Sequence, residues 1–375
     1  MAEQEVNVGM LGFAFMGKAH TFGYMNCNRM LSPSLKARLK CITGVGEEQI
    51  KEAQQRLGWE DYEVDWHDVI ERDDIDLVDI CTPNFVHKEQ AIAAAEAGKD
   101  ILCEKPLANN AEDAKEMLQA VRNNGVKAMC GFTYRQAPAV KLAREMIESG
   151  ELGEIRHIRA DYLQDFIMDP EFPMMWRLRK EQAGSGALGD LGAHITDIAR
   201  FLVGEVEEVS GTLETFIKER PTGDGGTEEV TVDDAAIWCA RMDNGALGKF
   251  EATRFAGGRK NYHTWEINGS KGSIAWNFEN MNYLKYWKAD EGSRQGFRTI
   301  PATQEEVPGA QGWWPGGHLL GYGECHANQI RELMKALEND EQPVPTFEDG
   351  VQCQAVLDAV VESSKTREWT QVEQI

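Results

Sequence analysis

The sequence predicts an α/β protein in two parts, a doubly wound parallel sheet followed by a domain built on an antiparallel or mixed sheet with a few helices. Three features lead there. The first third alternates short apolar runs with amphipathic stretches, and the glycine-bearing turn "GFAFMGKAH" (residues 12–20) directly follows the first of those runs. Beyond Ser149 the pattern changes to longer segments with period-two alternation. Strands alternating with helices make a parallel sheet with helical crossovers, whereas period-two alternation marks strands with one covered face. A length of 375 residues suits two cores.

In order, the first part reads "VNVGMLG", a helix after Gly17, "RLKCITGV", "EEQIKEAQQRLG", "IDLVDICTP", "HKEQAIAAAEAG", "DILCEKP", "AEDAKEMLQAVRNNG" and "KAMCGFT". The run Leu77 to Cys81 reads as a strand covered on both faces. The first domain is expected to span residues 1–131 and the second 132–375, opening with a helix around Ala139 to Ser149. Strands then follow at "IRHIRADYLQD", "VEEVSGTLETFI", "AAIWCARMDNGALGKFEATRFA", "HTWEINGSKGSIAWNFE" and "YLKYWKA", with "DNG" and "NGSKG" as hairpin turns. Two stretches read as loops, "KERPTGDGGTEE" and "DEGSRQGFRTIPATQEEVPGAQGWWPGGH", the second long enough for a lid or a subunit contact.

A formal charge of −23 repels phosphate backbones and anionic lipid, which excludes nucleic acid and membrane surfaces as expected partners. Eight cysteines without a C-x-x-C pair read as free buried thiols. The N-terminal "MAEQEVNVGM" lacks the basic and apolar regions of a secretory signal, and no apolar run reaches membrane-spanning length, so a cytoplasmic protein is expected. No internal repeat is present.

In a G-x-G-x-x-G dinucleotide turn the first glycine makes the bend, the second admits the pyrophosphate and the third lets helix meet strand. Here the frame is Gly12, Ala14, Gly17. One added methyl matters little if residue 14 has negative φ, and more if φ must be positive. Helix amides after Gly17 would still offer an anion site. Gly44, Val45 and Gly46 stand at the end of the next strand, where an acidic residue would bond the ribose. With no Arg or Lys there and Glu47 nearby, NAD is preferred and NADP stays open.

Asp190, His194 and Asp197 stand at i, i+4 and i+7, so one helix would align them beside the apolar stripe Leu191, Ile195, Ile198 and Leu202. Such a carboxylate can orient an imidazole base, although taken alone the pair reads first as an ordinary surface pair. Lys105, at the carboxyl end of "DILC", stands where ligands bind in open α/β sheets, or is a surface lysine before a turn. Asn84 reads as a helix cap or a cofactor contact, and Glu104 as a ribose ligand or a neighbour's partner. His20 and His326, with Cys325, show no metal-ligand spacing, and no metal is expected.

Taken together, "GFAFMGKAH", "DICTPNFVH", "DILCEKPLA" and "GSGALGDLGAHITDIARFLVG" (184–204) resemble the glucose-fructose oxidoreductase and inositol dehydrogenase family, Gfo/Idh/MocA. Within it, "TYRQAPAV", "ADYLQD", "WRLRKEQAGSGALGD", "EATRFAGGRKN" and "GFRTI" are similar to a branch that oxidises anhydrosugars such as levoglucosan. The resemblance implies a Rossmann domain and an α+β domain with a large open, mostly antiparallel sheet that builds dimers or tetramers. It implies Lys105, Asp190 and His194 as the catalytic set, with His194 the base, Lys105 stabilising the developing oxyanion and Asp190 steadying one of them. Gly12, Phe13, Ala14, Phe15, Met16, Gly17, Thr82, Asn84, His87, Glu104 and Lys105 are the expected cofactor contacts. Tyr134, Gln164, Asp165, Arg177, Asp190, His194 and His318 are the expected substrate contacts. The activity implied is NAD(P)-dependent oxidation of a secondary hydroxyl of a cyclic sugar, anhydrosugar, glycoside or inositol to a ketone. An enzyme that retains and recycles its cofactor, and a non-catalytic sensing regulator, are the alternatives.

Overall fold

The computed structural model describes residues 4–375. Its strands in chain order are β1 (Gln4–Leu11), β2 (Leu35–Thr43), β3 (Asp61–Tyr62), β4 (Leu77–Ile80), β5 (Asp100–Cys103), β6 (Ala128–Cys130), β7 (Ile155–Leu163), β8 (Val206–Glu214), β9 (Glu219–Pro221), β10 (Thr227–Glu229), β11 (Ala235–Met242), β12 (Leu247–Thr253), β13 (Tyr262–Gly269), β14 (Gly272–Asn277), β15 (Tyr283–Lys288), β16 (Arg298–Pro301) and β17 (Thr370–Gln371). The helices are α1 (Phe15–Asn26), α2 (Glu47–Leu57), α3 (Trp66–Glu71), α4 (His87–Glu96), α5 (Ala111–Asn124), α6 (Pro138–Glu148), α7 (Lys180–Ala183), α8 (Ala193–Leu202), α9 (Tyr322–Glu338) and α10 (Phe347–Thr366).

The first compact unit runs through Gln136 and takes in Leu320–Val351. Its six strands are parallel, in the order β3-β2-β1-β4-β5-β6. The order reverses at β1, so the carboxyl ends of β1 and β4 flank the position where ligands bind in such sheets. All four β4 residues are buried, as in a sheet covered on both faces. Residues 320–351 return to this unit from within the expected second domain, which no local pattern foretells. They do so because α9 lies against α1, with Gly23 facing the His326 backbone, and because Cys130 N–H donates to Pro345 O at 2.8 Å. Arg135 also pairs with Asp349 at 3.0 Å.

The second unit comprises Ala137–Leu319 and Gln352–Ile375, the division falling within α10. Its nine-stranded sheet runs β16-β15-β14-β13-β7-β12-β11-β8-β17, and all neighbours are antiparallel except β7 and β12. Strand β11 buries Ala236, Trp238, Ala240 and Met242 and turns Ile237, Cys239 and Arg241 outward, so one face is covered and the other open. Cys239 is therefore exposed, against the expectation that all eight free thiols are buried; the other seven are. The stretch "KERPTGDGGTEE", expected to be loop, folds into the β9/β10 hairpin around Asp224 and Gly225. The long C-terminal loop contributes β16 to the sheet edge. Among the described residues no helix is long and apolar enough to cross a membrane.

Candidate active site

The turn after β1 fits a dinucleotide at two glycines and tolerates the alanine. Gly12 adopts φ +101°, and a Cβ there would lie 2.9 Å from Cys81 O. A Cβ on Gly17 would lie 2.0 Å from Gly12 O, so neither position accepts a side chain. Ala14 sits at φ −70°, where its methyl causes no strain. Helix α1 begins at Phe15 rather than after Gly17 as expected, and its first internal bond is Lys18 N–H to Ala14 O at 2.9 Å. The amides of Phe15, Met16 and Gly17 precede that bond and have no partner within the helix, an arrangement that suits a pyrophosphate. Phe13 explains the absent ribose carboxylate: a Cβ on Gly44 would lie 2.4 Å from its ring. Phe15 is exposed and stacks on Tyr322 with centroids 5.9 Å apart.

At the ends of β4 and β5 the polar groups mostly hold one another. Thr82 Oγ1 donates to Gln90 at 2.6 Å, and Asn84 Nδ2 donates to Asn109 Oδ1 at 2.9 Å. Asn84 opens a short 3₁₀ turn and caps no helix. His87 is buried, with Nε2 2.9 Å from Thr82 O and Nδ1 3.1 Å from Pro106 O. Burial holds its pKa below the usual histidine value despite those carbonyls. It thus joins the two strand-end loops and turns no ring nitrogen outward, which corrects the expectation of a direct cofactor contact. Lys105 is half-buried beside a cis peptide to Pro106, and Tyr134 is buried in the 3₁₀ turn Thr133–Gln136.

Glu104 has a partner that sequence reasoning missed. Its Oε1 lies 3.0 Å from His20 Nε2, and His20 Nδ1 lies 2.9 Å from both Asp79 oxygens. Cys81 Sγ stands 3.3 Å from the same Nδ1. His20, Asp79 and Cys81 are close enough to share a metal ion, but these separations are also those of hydrogen bonds. His326 lies with its ring centroid 5.3 Å from that of His20. The available signals were an aspartate inside an apolar strand and a histidine one turn beyond Gly17.

In the second unit Asp190 lies on a π-helical turn, Leu188–Gly192, that leads into α8. The sequence predicted one regular helix with Asp190, His194 and Asp197 in a single stripe. The wider turn carries Asp190 off that stripe, a distortion common at functional sites. Asp233 holds the turn, accepting from Gly186 N–H at 2.7 Å and Leu188 N–H at 2.8 Å. Asp190 Oδ2 accepts from Arg254 Nη2 at 2.9 Å, and that nitrogen also donates to Gly186 O at 3.1 Å. Arg254 is 1% exposed, so the carboxylate beside it is held as an anion by a charge-assisted bond. Arg177 stacks over Trp176 at 4.2 Å; burial draws its pKa below the arginine range, opposed by Asp190.

His194 is buried with its ring 5.7 Å from that of Tyr162, which stacks on His263 at 5.0 Å. Burial pushes His263 down to about 3, so it is a neutral ring. Asn261 Oδ1 accepts from Tyr162 OH at 2.5 Å and from Gln164 Nε2 at 2.9 Å. Asp165 is engaged by Lys260 Nζ at 2.8 Å and Gly258 N–H at 3.0 Å, which hold its pKa below the carboxylate range. Asp197 is buried rather than at a cleft edge. His318 is exposed on its loop, Nδ1 2.7 Å from Pro315 O. Arg254, Asn261, Asp233 and His263 escaped the sequence reading because each meets its partner from a segment distant in the chain.

Residues 6–132 match the family described as "Oxidoreductase family, NAD-binding Rossmann fold", and residues 140–275 match the "GFO/IDH/MocA C-terminal domain". The chain is 43% identical to levoglucosan dehydrogenase of Pseudarthrobacter phenanthrenivorans over 99% of each protein. The solved structure of a levoglucosan dehydrogenase in complex with NADH and levoglucosan matches with a TM-score of 0.96 and 43% identity, covering 99% of this chain and 100% of that one. An oxidoreductase domain protein from Kribbella flavida matches with a TM-score of 0.96 and 48% identity over the same shares.

Proposed function

Because the chain belongs to the GFO/IDH/MocA oxidoreductase family, with an NAD-binding Rossmann domain as its first part, we propose that it oxidises a secondary hydroxyl of a cyclic sugar, levoglucosan at C3, to the ketone. The observation that carries the substrate class is the set of donors and acceptors in the second unit: Tyr162 beside His194 and joined through Asn261 to Gln164, and Arg177 and Arg254 about Asp190. A ring bearing several hydroxyls needs such groups. The likeness to levoglucosan dehydrogenase supports levoglucosan as that sugar.

When bound, NAD supplies the acceptor for the hydride leaving the carbinol carbon. Gly12 to Gly17 would hold its pyrophosphate on the amides of Phe15, Met16 and Gly17, with Thr82 and Asn84 at the neighbouring strand end. A ring nitrogen of His194 takes the hydroxyl proton. Lys105 Nζ steadies the negative charge that grows on that oxygen. Asp190, kept anionic by Arg254, accepts a hydrogen bond from substrate or imidazole, and Gln164 and Arg177 bind flanking hydroxyls. The open face of the nine-stranded sheet, which exposes Ile237 and Leu247, is where subunits of a homodimer or homotetramer meet. Eight free thiols suit the reducing cytoplasm.

The test is a panel of cyclic polyols, glycosides and anhydrosugars with NAD or NADP, read by reduced-cofactor absorbance. Levoglucosan with NAD should give the highest kcat/KM. Absence of turnover with every member would refute the reading.

A further inference from the structure

The cluster beneath the ends of β4 and β5 has no role in the chemistry above. His20, on α1, is fully buried, as is Asp79 in β4, and Glu104 just after β5 is 4% exposed. Both nitrogens of His20 face carboxylate oxygens, Nδ1 at 2.9 Å from Asp79 and Nε2 at 3.0 Å from Glu104. An ionised carboxylate only accepts, and a neutral imidazole carries one N–H, so both sides are satisfied by an imidazolium. Without a cation between them, two buried carboxylates would repel. The second oxygen of Glu104 accepts from the backbone N–H of Lys105 at 3.2 Å. Gly131 leaves the space for this, since a Cβ there would lie 2.7 Å from Glu104 Oε1.

We propose that His20, as a buried imidazolium, is a positioning residue that ties α1, β4 and β5 together and, through Glu104, sets the backbone from which Lys105 projects. This rests on the role given above to Lys105. The groups around the ring agree. Burial pulls the His20 pKa down, but Asp79 raises it, and the net shift is well above the ordinary histidine value. Burial keeps the Cys81 sulfur a thiol and the phenols of Tyr24 on α1 and Tyr322 on α9 protonated. His326, on α9, is kept neutral by burial and by the neighbouring His20 charge. One cation therefore faces two anions. A pKa raised on folding means that the stabilisation is complete below the unfolded value and disappears as pH climbs through the folded one, so the brace fails only on the alkaline side.

Measurements on the full-length protein test it. In wild type, ¹⁵N spectra of the His20 ring should show both nitrogens protonated and no titration through the range in which an ordinary histidine loses its proton. A ring that titrates in that range, or one zinc per chain in the purified protein, would overturn the proposal. In His20→Gln, kcat for levoglucosan should fall roughly 10–100-fold with sugar KM within about threefold, as expected for a misplaced group rather than a lost contact. Wild-type kcat would overturn it. Asp79→Asn, which keeps the shape of the side chain, should move the alkaline limb of the pH profile to lower pH, and an unmoved limb counts against the brace. Should no sugar react, the ring spectrum and the crystallographic position of the Lys105 backbone in His20→Gln still decide: a displaced backbone supports the brace, and an unmoved one refutes it.

Discussion

The two units assemble their functional groups by opposite means. In the first, the groups lie at strand ends of one parallel sheet, and at the end of β1 local backbone geometry sets them, through the turn at Gly12 and Gly17 and the start of α1, with side-chain pairs added only at the ends of β4 and β5. In the second, the groups are set by side-chain pairs that join distant segments, such as Asp190 with Arg254 and Tyr162 with Asn261. The contrast teaches where each fails. A backbone-built site breaks at residues that must have no side chain, and a pair-built site breaks when either partner is removed.

The largest effect expected is from His194→Ala, which should lower kcat by about 10²–10⁴-fold, the usual worth of a general base, with NADH affinity unchanged by fluorescence titration. Next is Gly17→Ala. Its methyl would meet Gly12 O at 2.0 Å, and NADH affinity should fall at least about tenfold while sugar contacts in the other unit stay intact. Arg254→Met should reduce sugar kcat/KM by roughly 30-fold, which is about 2 kcal/mol for a buried charge losing its partner with allowance for the partial exposure of Asp190. Asn261→Ala releases two donors, Tyr162 and Gln164, and should raise sugar KM about threefold to tenfold with little change in kcat, since each bond contributes about 1 kcal/mol. Ala14→Gly should leave NADH affinity within about twofold, because residue 14 already has an ordinary φ and glycine caps a helix adequately. A large gain in that variant would mean that the alanine does obstruct the cofactor.

The same contrast explains what the sequence disclosed. The alternation of apolar runs and helices, the glycine turn and the period-two strands were legible because each is a local pattern, and the two sheet types follow from them, whereas the strand order of the second sheet, with β7 parallel to β12, does not. The start of α1 was misread by a few residues because Ala14, not a polar cap, precedes it. The π-helical turn at Leu188–Gly192 was invisible, since an inserted residue changes no composition and shifts only the phase of the stripe. His20 was present in the quoted turn, yet its partners Asp79 and Glu104 lie 59 and 84 residues away, and nothing local announces such a pairing. Arg254 sat inside a recognised segment and was passed over because an arginine following a strand is ordinarily solvated. His318 was chosen for its loop alone, and the loop leaves it exposed.

The proposed oxidation requires a ring carbon of the sugar to give its hydrogen to the nicotinamide. Levoglucosan carrying deuterium at C3 should yield reduced cofactor one mass unit heavier, with turnover slowed by the heavier isotope. Reduced cofactor of ordinary mass, formed at an unaltered rate, would contradict it.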